Sequence, residues 1–208
     1  MSASMSTQRE LSSKGRLTRG AIEQAARELF AERGFHGTTL ADITSAAGKS
    51  TAVLYRYFRD KEDLLAALAE SFLTQVVEPS GFKMRLPESP EDTEFFSSVV
   101  SAYWSMFKPN IGVMIAVAQL AATSERFAAL QNEFRRFGME IVAASVRRAQ
   151  QQGYGVELDP DHIAAAIALL FENFTVVFVG PSGPGWRISD SDAIETLSTI
   201  WRKTLYGR

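Results

Sequence analysis

At 208 residues, with 46% apolar and 22% charged side chains, the chain is long enough to bury a sizeable core and has the balance of an ordinary soluble protein. It contains no cysteine, which excludes disulfide frameworks, thiolate metal sites and cysteine nucleophiles. The net charge of −2 is unevenly divided: residues 1–61 carry a net +4 and the remainder −6, so a polyanion would be met by the N-terminal part.

Met1 to Ser13 is Ser-rich and polar, and reads as a disordered tail. It has no apolar core of the kind a secretory signal needs, so a cytosolic address is expected. From Thr18 to Arg33 the residues Ile22, Ala25, Ala26, Leu29 and Phe30 recur at spacings of three and four, the stripe of an amphipathic helix, and Gly34 ends it. Thr39 and Asp42 have the spacing of a capping box and open a short second helix with Leu40, Ile43 and Ala47 inward. Gly48 breaks that helix. A third helix is predicted from about Ser50 to Tyr57, and Asp60 caps a fourth that carries Leu64, Leu65, Leu68 and Phe72.

Pro79 to Pro90 reads as a linker. Helices are then predicted at Asp92–Phe107, from Ile111 to about Ala122, and from Ser124 to Gln152. Asp159-Pro160 supplies a cap and an N1 proline for an apolar helix from Asp161 to Val179, and Ser189 to Asp192 caps a last helix ending near Tyr206. The apolar helix is interrupted by Glu172 and Asn173, which reads as a buried helix rather than a membrane span. The fold class is therefore all-α, with about nine helices. The divisions are a tail at 1–13, a head at 14–74 with its central motif at about 39–58, and a larger helical body at 75–208.

Thr39 to Phe58 carries the function. Two short helices flank a tight turn at Ala47-Gly48-Lys49, the arrangement of a helix-turn-helix, in which glycine permits the turn and the second helix enters the DNA major groove. The end that would enter bears Lys49, Ser50, Thr51 and Ala52, which are polar or short enough to approach base edges. Arg56, Tyr57 and Lys61 follow at positions suited to phosphate contacts, which fix register and give salt-dependent affinity.

These residues carry a resemblance to the TetR family of regulators. The match runs through Ala25 to Gly34, Thr38-Thr39, Ala41-Asp-Ile43, Ala47-Gly48, Leu54-Tyr-Arg-Tyr-Phe58, Asp60-Lys61-Glu62 and Leu64-Leu65, in order and at the right spacing, over Thr18 to Phe72. In one stretch the chain departs from the commoner pattern, with Lys49-Ser50-Thr51-Ala52 in place of Val-Ser-x-Gly or Val-Ser-x-Pro. The resemblance implies that Thr38 or Thr39, Lys49, Tyr55, Tyr57 and Lys61 contact phosphates, while Ser50, Thr51, Ala52 and Arg56 face bases or the backbone beside them. It also implies a double-stranded DNA operator, a homodimer formed by the last two helices (about 161–179 and 190–206), and a body that binds a small-molecule effector whose arrival releases DNA.

For the effector pocket the sequence offers Trp104, Phe107, Gln119, Phe171, Glu172 and Asn173, although aromatic stripes of this kind are more often core than pocket. Glu172 and Asn173 would orient a ligand, cross the dimer contact, or pair with Arg126 or Arg147. His36 and His162 lie far apart with no acid or nucleophile at ligand spacing, so neither a metal nor a cofactor is expected. The Gly180 to Gly185 turn lacks the lysine and hydroxyl of a phosphate loop. Two rivals to the regulator reading are a helical enzyme, for which no acid, base and nucleophile set is present, and a ligand sensor that has lost DNA binding.

Overall fold

The structure is a computed structural model that describes residues 12–77 (backbone alone at 76 and 77), 85–155, 157, 159–181, 183 and 185–207. Among them the chain forms nine α-helices and no strand: α1 Ser13–Arg33, α2 Leu40–Ala46, α3 Thr51–Leu54, α4 Lys61–Val77, α5 Thr93–Phe107, α6 Ile111–Ala121, α7 Glu125–Gln151, α8 Pro160–Val179 and α9 Asp190–Tyr206. A 3-10 turn at Lys108–Asn110 joins α5 directly to α6.

Local chemistry accounts for the boundaries. The Ser12 hydroxyl accepts from Gly15 N at 3.2 Å and starts α1 well before the apolar stripe begins at Ile22. This helix therefore starts earlier than its apolar periodicity predicts, and it takes Ser12 and Ser13 from the expected tail, whose other residues lie outside the described ones. At its other end Gly34 adopts φ +72°, a conformation that a side chain would resist. The Asp159 carboxylate accepts from both Asp161 N and His162 N ahead of α8, and Ser189 accepts from Asp192 N ahead of α9.

Two apolar cores hold the helices. The first gathers Ile22, Ala26, Leu29 and Phe30 of α1, Ile43, Leu54 and Phe58 of the motif, and Leu64, Leu65 and Leu68 of α4. It also takes in Val113, Ala116 and Val117 of α6 and Phe127, Leu130 and Phe134 of α7. The second lies among α5, α7, α8 and α9, around Phe96, Trp104, Phe171 and Trp201. The division expected after residue 74 falls inside α4, and the first core crosses it, because α4 presents one apolar face to α1 and another to α6 and α7. Of the expected linker, residues 79–84 lie outside the described residues. Beyond them Arg85 grips Asp92 in a bidentate pair at 2.7 and 3.0 Å, and Asp92 caps α5 through Phe95 N.

α8 is buried along one face and exposed along the other. Ala164, Ile167, Phe171 and Thr175 face inward, whereas Leu169 (41% exposed), Leu170 (38%) and Val177 (39%) face outward. α8 is long and apolar enough to cross a membrane by composition, but it packs along its length against α7. Much of the apolar stripe of α9 is used within the chain. Leu197, Trp201 and Leu205 are buried within the chain against α5, with the Trp201 indole N–H donating to Ser145 Oγ at 3.2 Å, and Ile200 alone of the apolar residues named there is exposed.

Candidate nucleic-acid interface

The capping box at α2 is complete. Asp42 N donates to Thr39 Oγ1 (3.1 Å), and the Asp42 carboxylate accepts from both Thr39 N (2.9 Å) and Thr39 Oγ1 (2.6 Å). The Thr39 hydroxyl, with its backbone N–H next in effect, holds the Asp42 carboxyl below its ordinary value. Gly48 turns the chain at φ +62°, and Lys49 N closes the turn on Thr44 O at 2.8 Å. The Ser50 hydroxyl then accepts from Val53 N at 3.4 Å and opens α3. α3 itself is only four residues, shorter than expected, but hydrogen bonds from Tyr55 N, Arg56 N, Tyr57 N and Phe58 N to Thr51 O, Val53 O and Leu54 O carry its curl through Phe58.

This segment has two faces. Leu54 (0% exposed) and Phe58 (2%) anchor it in the first core, with the Arg19 guanidinium over the Phe58 ring. Lys49, Ser50, Thr51, Ala52, Tyr55 and Arg56 stand out on the opposite side, and Tyr55 is 57% exposed. Tyr57 is half-buried beside Phe58. Thr39 is exposed at the start of α2.

Two of the sequence-predicted residues have other duties. Thr38 is fully buried, and its hydroxyl is shared between Leu29 O (3.3 Å) and Gly34 O (2.8 Å), so its side chain closes the C-terminal end of α1 and has no surface to offer a phosphate. Lys61 donates to Phe35 O (2.7 Å) and Thr38 O (2.8 Å) and lies over the Phe35 ring. It ties the start of α4 to the α1–α2 turn, which leaves one of its three N–H bonds for anything else. Its partial burial lowers the ammonium pKa from the usual lysine value.

The residues expected to line an effector pocket are divided between surface and core. Gln119 and Asn173 are exposed, because their helices turn those positions outward. Glu172 makes a bidentate pair with Arg135 at 2.8 Å on each oxygen, linking α8 to α7, in place of the expected Arg126 or Arg147. Arg126 instead bridges to Asp63 and Glu70 of α4, and Arg147 pairs with Asp161. Phe107 stacks on Tyr103 and meets Phe72 edge-on. Phe171 is buried against Tyr103 and Trp201. The Tyr103 hydroxyl bonds Thr175, and burial pushes its pKa up to about 12. Trp104 is 3% exposed in the second core. Two surface grooves of about 440 and 420 Å³ lie between α5 and α9 and between α7 and α8, and none of these six residues lines either. Among the described residues no group of three or more metal-ligating side chains occurs.

Comparison with known proteins bears on this geometry. The family model of bacterial regulatory proteins of the tetR family matches residues 22–68, which span the stripe of α1, the turn and half of α4. The HTH-type transcriptional regulator UidR of Escherichia coli is 31% identical over 162 residues, 76% of this chain and 78% of that protein. The HTH-type transcriptional regulator EthR of Mycobacterium tuberculosis is 26% identical over 191 residues, 90% of this chain and 86% of that one. Among solved structures, the TetR-family regulator PfmR of Thermus thermophilus superposes with a TM-score of 0.66 at 25% identity, over 88% of this chain and 96% of that one. The relatives are transcriptional regulators rather than enzymes, and they match the head and body together. A buried-and-exposed helix-turn-helix, a matching family model and a relative of this identity and coverage agree: the chain belongs to the TetR family of helix-turn-helix, DNA-binding transcriptional regulators.

Proposed function

We propose that this chain is a cytoplasmic repressor that binds a roughly palindromic operator as a homodimer and is released by a small hydrophobic or amphipathic effector. The observation that carries the DNA-facing part is the split of residues 49–58: Leu54 and Phe58 are sealed in the core, while Lys49, Ser50, Thr51, Ala52, Tyr55 and Arg56 stand out together around the capped start of α3. A tyrosine left 57% exposed next to the fully buried Leu54 is poorly explained by core packing and well explained by a phosphate contact. In this reading Ser50, Thr51, Ala52 and Arg56 approach bases or the adjoining backbone. Thr39, Lys49, Tyr55 and Tyr57 hold phosphates, and Lys61 positions the α1–α2 turn with one N–H left for a phosphate. The head comprises α1 to α4 and the body α5 to α9.

Dimerisation would set two α3 segments about one DNA turn apart, ~34 Å, which is why a palindromic operator is expected. The outward apolar stripe of α8 supports that contact, since a monomer gains nothing by exposing Leu169, Leu170 and Val177 together. An effector acts if it binds one spacing of the heads better than the other. The test is a gel-shift titration against the DNA upstream of the protein's own coding sequence, with random DNA as competitor and salt varied. A specific shift that weakens steeply with salt is expected. No specific shift from folded dimer on any fragment of its genome would leave a ligand sensor without DNA binding.

A further inference from the structure

Among the described residues one buried side-chain polar atom lacks a hydrogen-bond partner, the indole Nε1 of Trp104. Trp104 is 3% exposed, so bulk water does not satisfy it. Lys108 follows Trp104 by one helical turn, its N–H bonded to Trp104 O, and brings the carboxylate of Asp190, in the first turn of α9, to the same place. The Lys108 ammonium donates to both oxygens of that carboxylate at 2.7 Å. First Lys108 and then the indole N–H hold the Asp190 carboxyl below its ordinary value. The end of α5 thus meets one carboxylate brought in from the far side of the α8–α9 turn. That carboxylate is 55% exposed and the ammonium 46%, so the pair is wet and exchangeable.

An apolar path begins at the same place. From Trp104 the rings run outward through Phe174 (6.4 Å between centroids), Phe178 (4.6 Å) and Trp186 (4.6 Å). Trp186 lies in the turn before α9 and is 60% exposed. A line of aromatic rings from interior to surface, beside an unpartnered indole N–H and an ammonium held by one exposed carboxylate, suits a molecule with an anionic head and an apolar tail.

We propose that this end of the body is the effector's anion subsite, where a ligand carboxylate takes the place of Asp190 on Lys108 and the Trp104 N–H while its tail lies along Phe174, Phe178 and Trp186. The proposal rests on the reading of the chain as an effector-released regulator, and it names the effector class as a small aliphatic or aryl carboxylic acid. A single negative charge matches the single ammonium that Asp190 now neutralises. The location also gives binding a consequence. Lys108 opens the 3-10 turn that runs straight into α6, and Gly112 of α6 lies against the backbone of α1 at Phe30 and Ala31. Moving Asp190 off Lys108 releases the end of the element that bears on the head.

The experiment titrates the full chain with octanoate, and with octanol as the uncharged control, following tryptophan fluorescence. Saturable octanoate binding is expected, tighter than octanol by about tenfold, the worth of one charge-assisted hydrogen bond. Lys108→Met removes that preference, and Lys108→Arg keeps most of it. Asp190→Asn tightens octanoate binding several-fold, because a competing carboxylate is gone. Absence of saturable octanoate binding, equal affinity for octanol, or an Asp190→Asn variant that binds octanoate no better than the parent would overturn the proposal. Gel shifts on the same preparations separate the two readings. Operator binding without carboxylate binding removes the subsite alone, and carboxylate binding without any operator removes the repressor reading alone.

Discussion

Thr38 and Thr39 are chemically identical neighbours with opposite duties. Thr38 spends its hydroxyl on carbonyls at the end of α1, while Thr39 is exposed and bound into the cap of α2. Thr38→Val is therefore expected to lower stability by about 1–3 kcal/mol in urea unfolding, because carbonyl oxygens at the end of α1 lose their donor, and to leave operator affinity of the folded protein unchanged. Lys49→Ala is expected to do the reverse. It should leave stability within about 0.5 kcal/mol and weaken the operator complex. The slope of log affinity against log salt should flatten by about 0.9 for each phosphate that the lysine no longer neutralises. Sequence alone groups these residues together, because family position and polarity are all it can see. What separates them is burial, which depends on how tightly the α1–α2 turn folds beneath Phe35 and Lys61.

Among the elements, the caps are readable in the sequence and the close approaches are not. Thr39 with Asp42, Asp159 with Pro160, and Ser189 with Asp192 each declare a helix start through local spacing, and each forms the hydrogen bonds that spacing implies. Gly112 declares nothing locally. Its importance comes from a helix far away in the chain: a Cβ there would lie 2.5 Å from the Phe30 carbonyl carbon and 2.7 Å from Ala31 Cα, backbone atoms that have no rotamer to yield. Gly112→Ala is expected to cost about 1–3 kcal/mol of stability and to shift α1 against α6. Operator affinity of the folded protein should fall by more than stability alone explains, and gel shift with urea unfolding would measure both. The cap of α5 gives a pH dependence with a definite sign. The Arg85 guanidinium, followed by the Glu88 and Phe95 backbone N–H groups, holds the Asp92 carboxyl below 3.8. Its contribution is fully present above that value and is lost as pH falls through the lower folded-state value, where the unfolded chain already binds the proton. Asp92→Asn should thus melt at a lower temperature at pH 7 and show a shallower loss of melting temperature than the parent below about pH 4.

For the whole molecule, the all-α class and the place of the DNA-facing motif follow from periodicity and turn residues, whereas the use of each apolar face does not. Ile194, Leu197, Ile200, Trp201 and Leu205 make an apolar stripe that fits either a partner subunit or the chain's own α5. The decision rests on Phe95 and Phe96, which meet the Trp201 ring 5.7 and 5.2 Å away. That inward use of α9 leaves α8 to supply most of any dimer contact. Ala166, Leu170, Asn173 and Val177 recur at spacings of three and four along its outer side, with Leu169 beside them. Leu170→Arg would place an unpaired charge in the centre of that stripe, which costs several kcal/mol if the stripe is buried between subunits and almost nothing if it faces water. Sedimentation at micromolar protein is expected to show the variant as monomer, with unchanged helicity and an operator affinity reduced by about a hundredfold or more, since one head alone makes half the contacts. A Leu170→Arg protein that still sediments as a dimer would place the subunit contact elsewhere. The next surface to mutate would then be the groove between α5 and α9, bordered by Ile194 and Arg202.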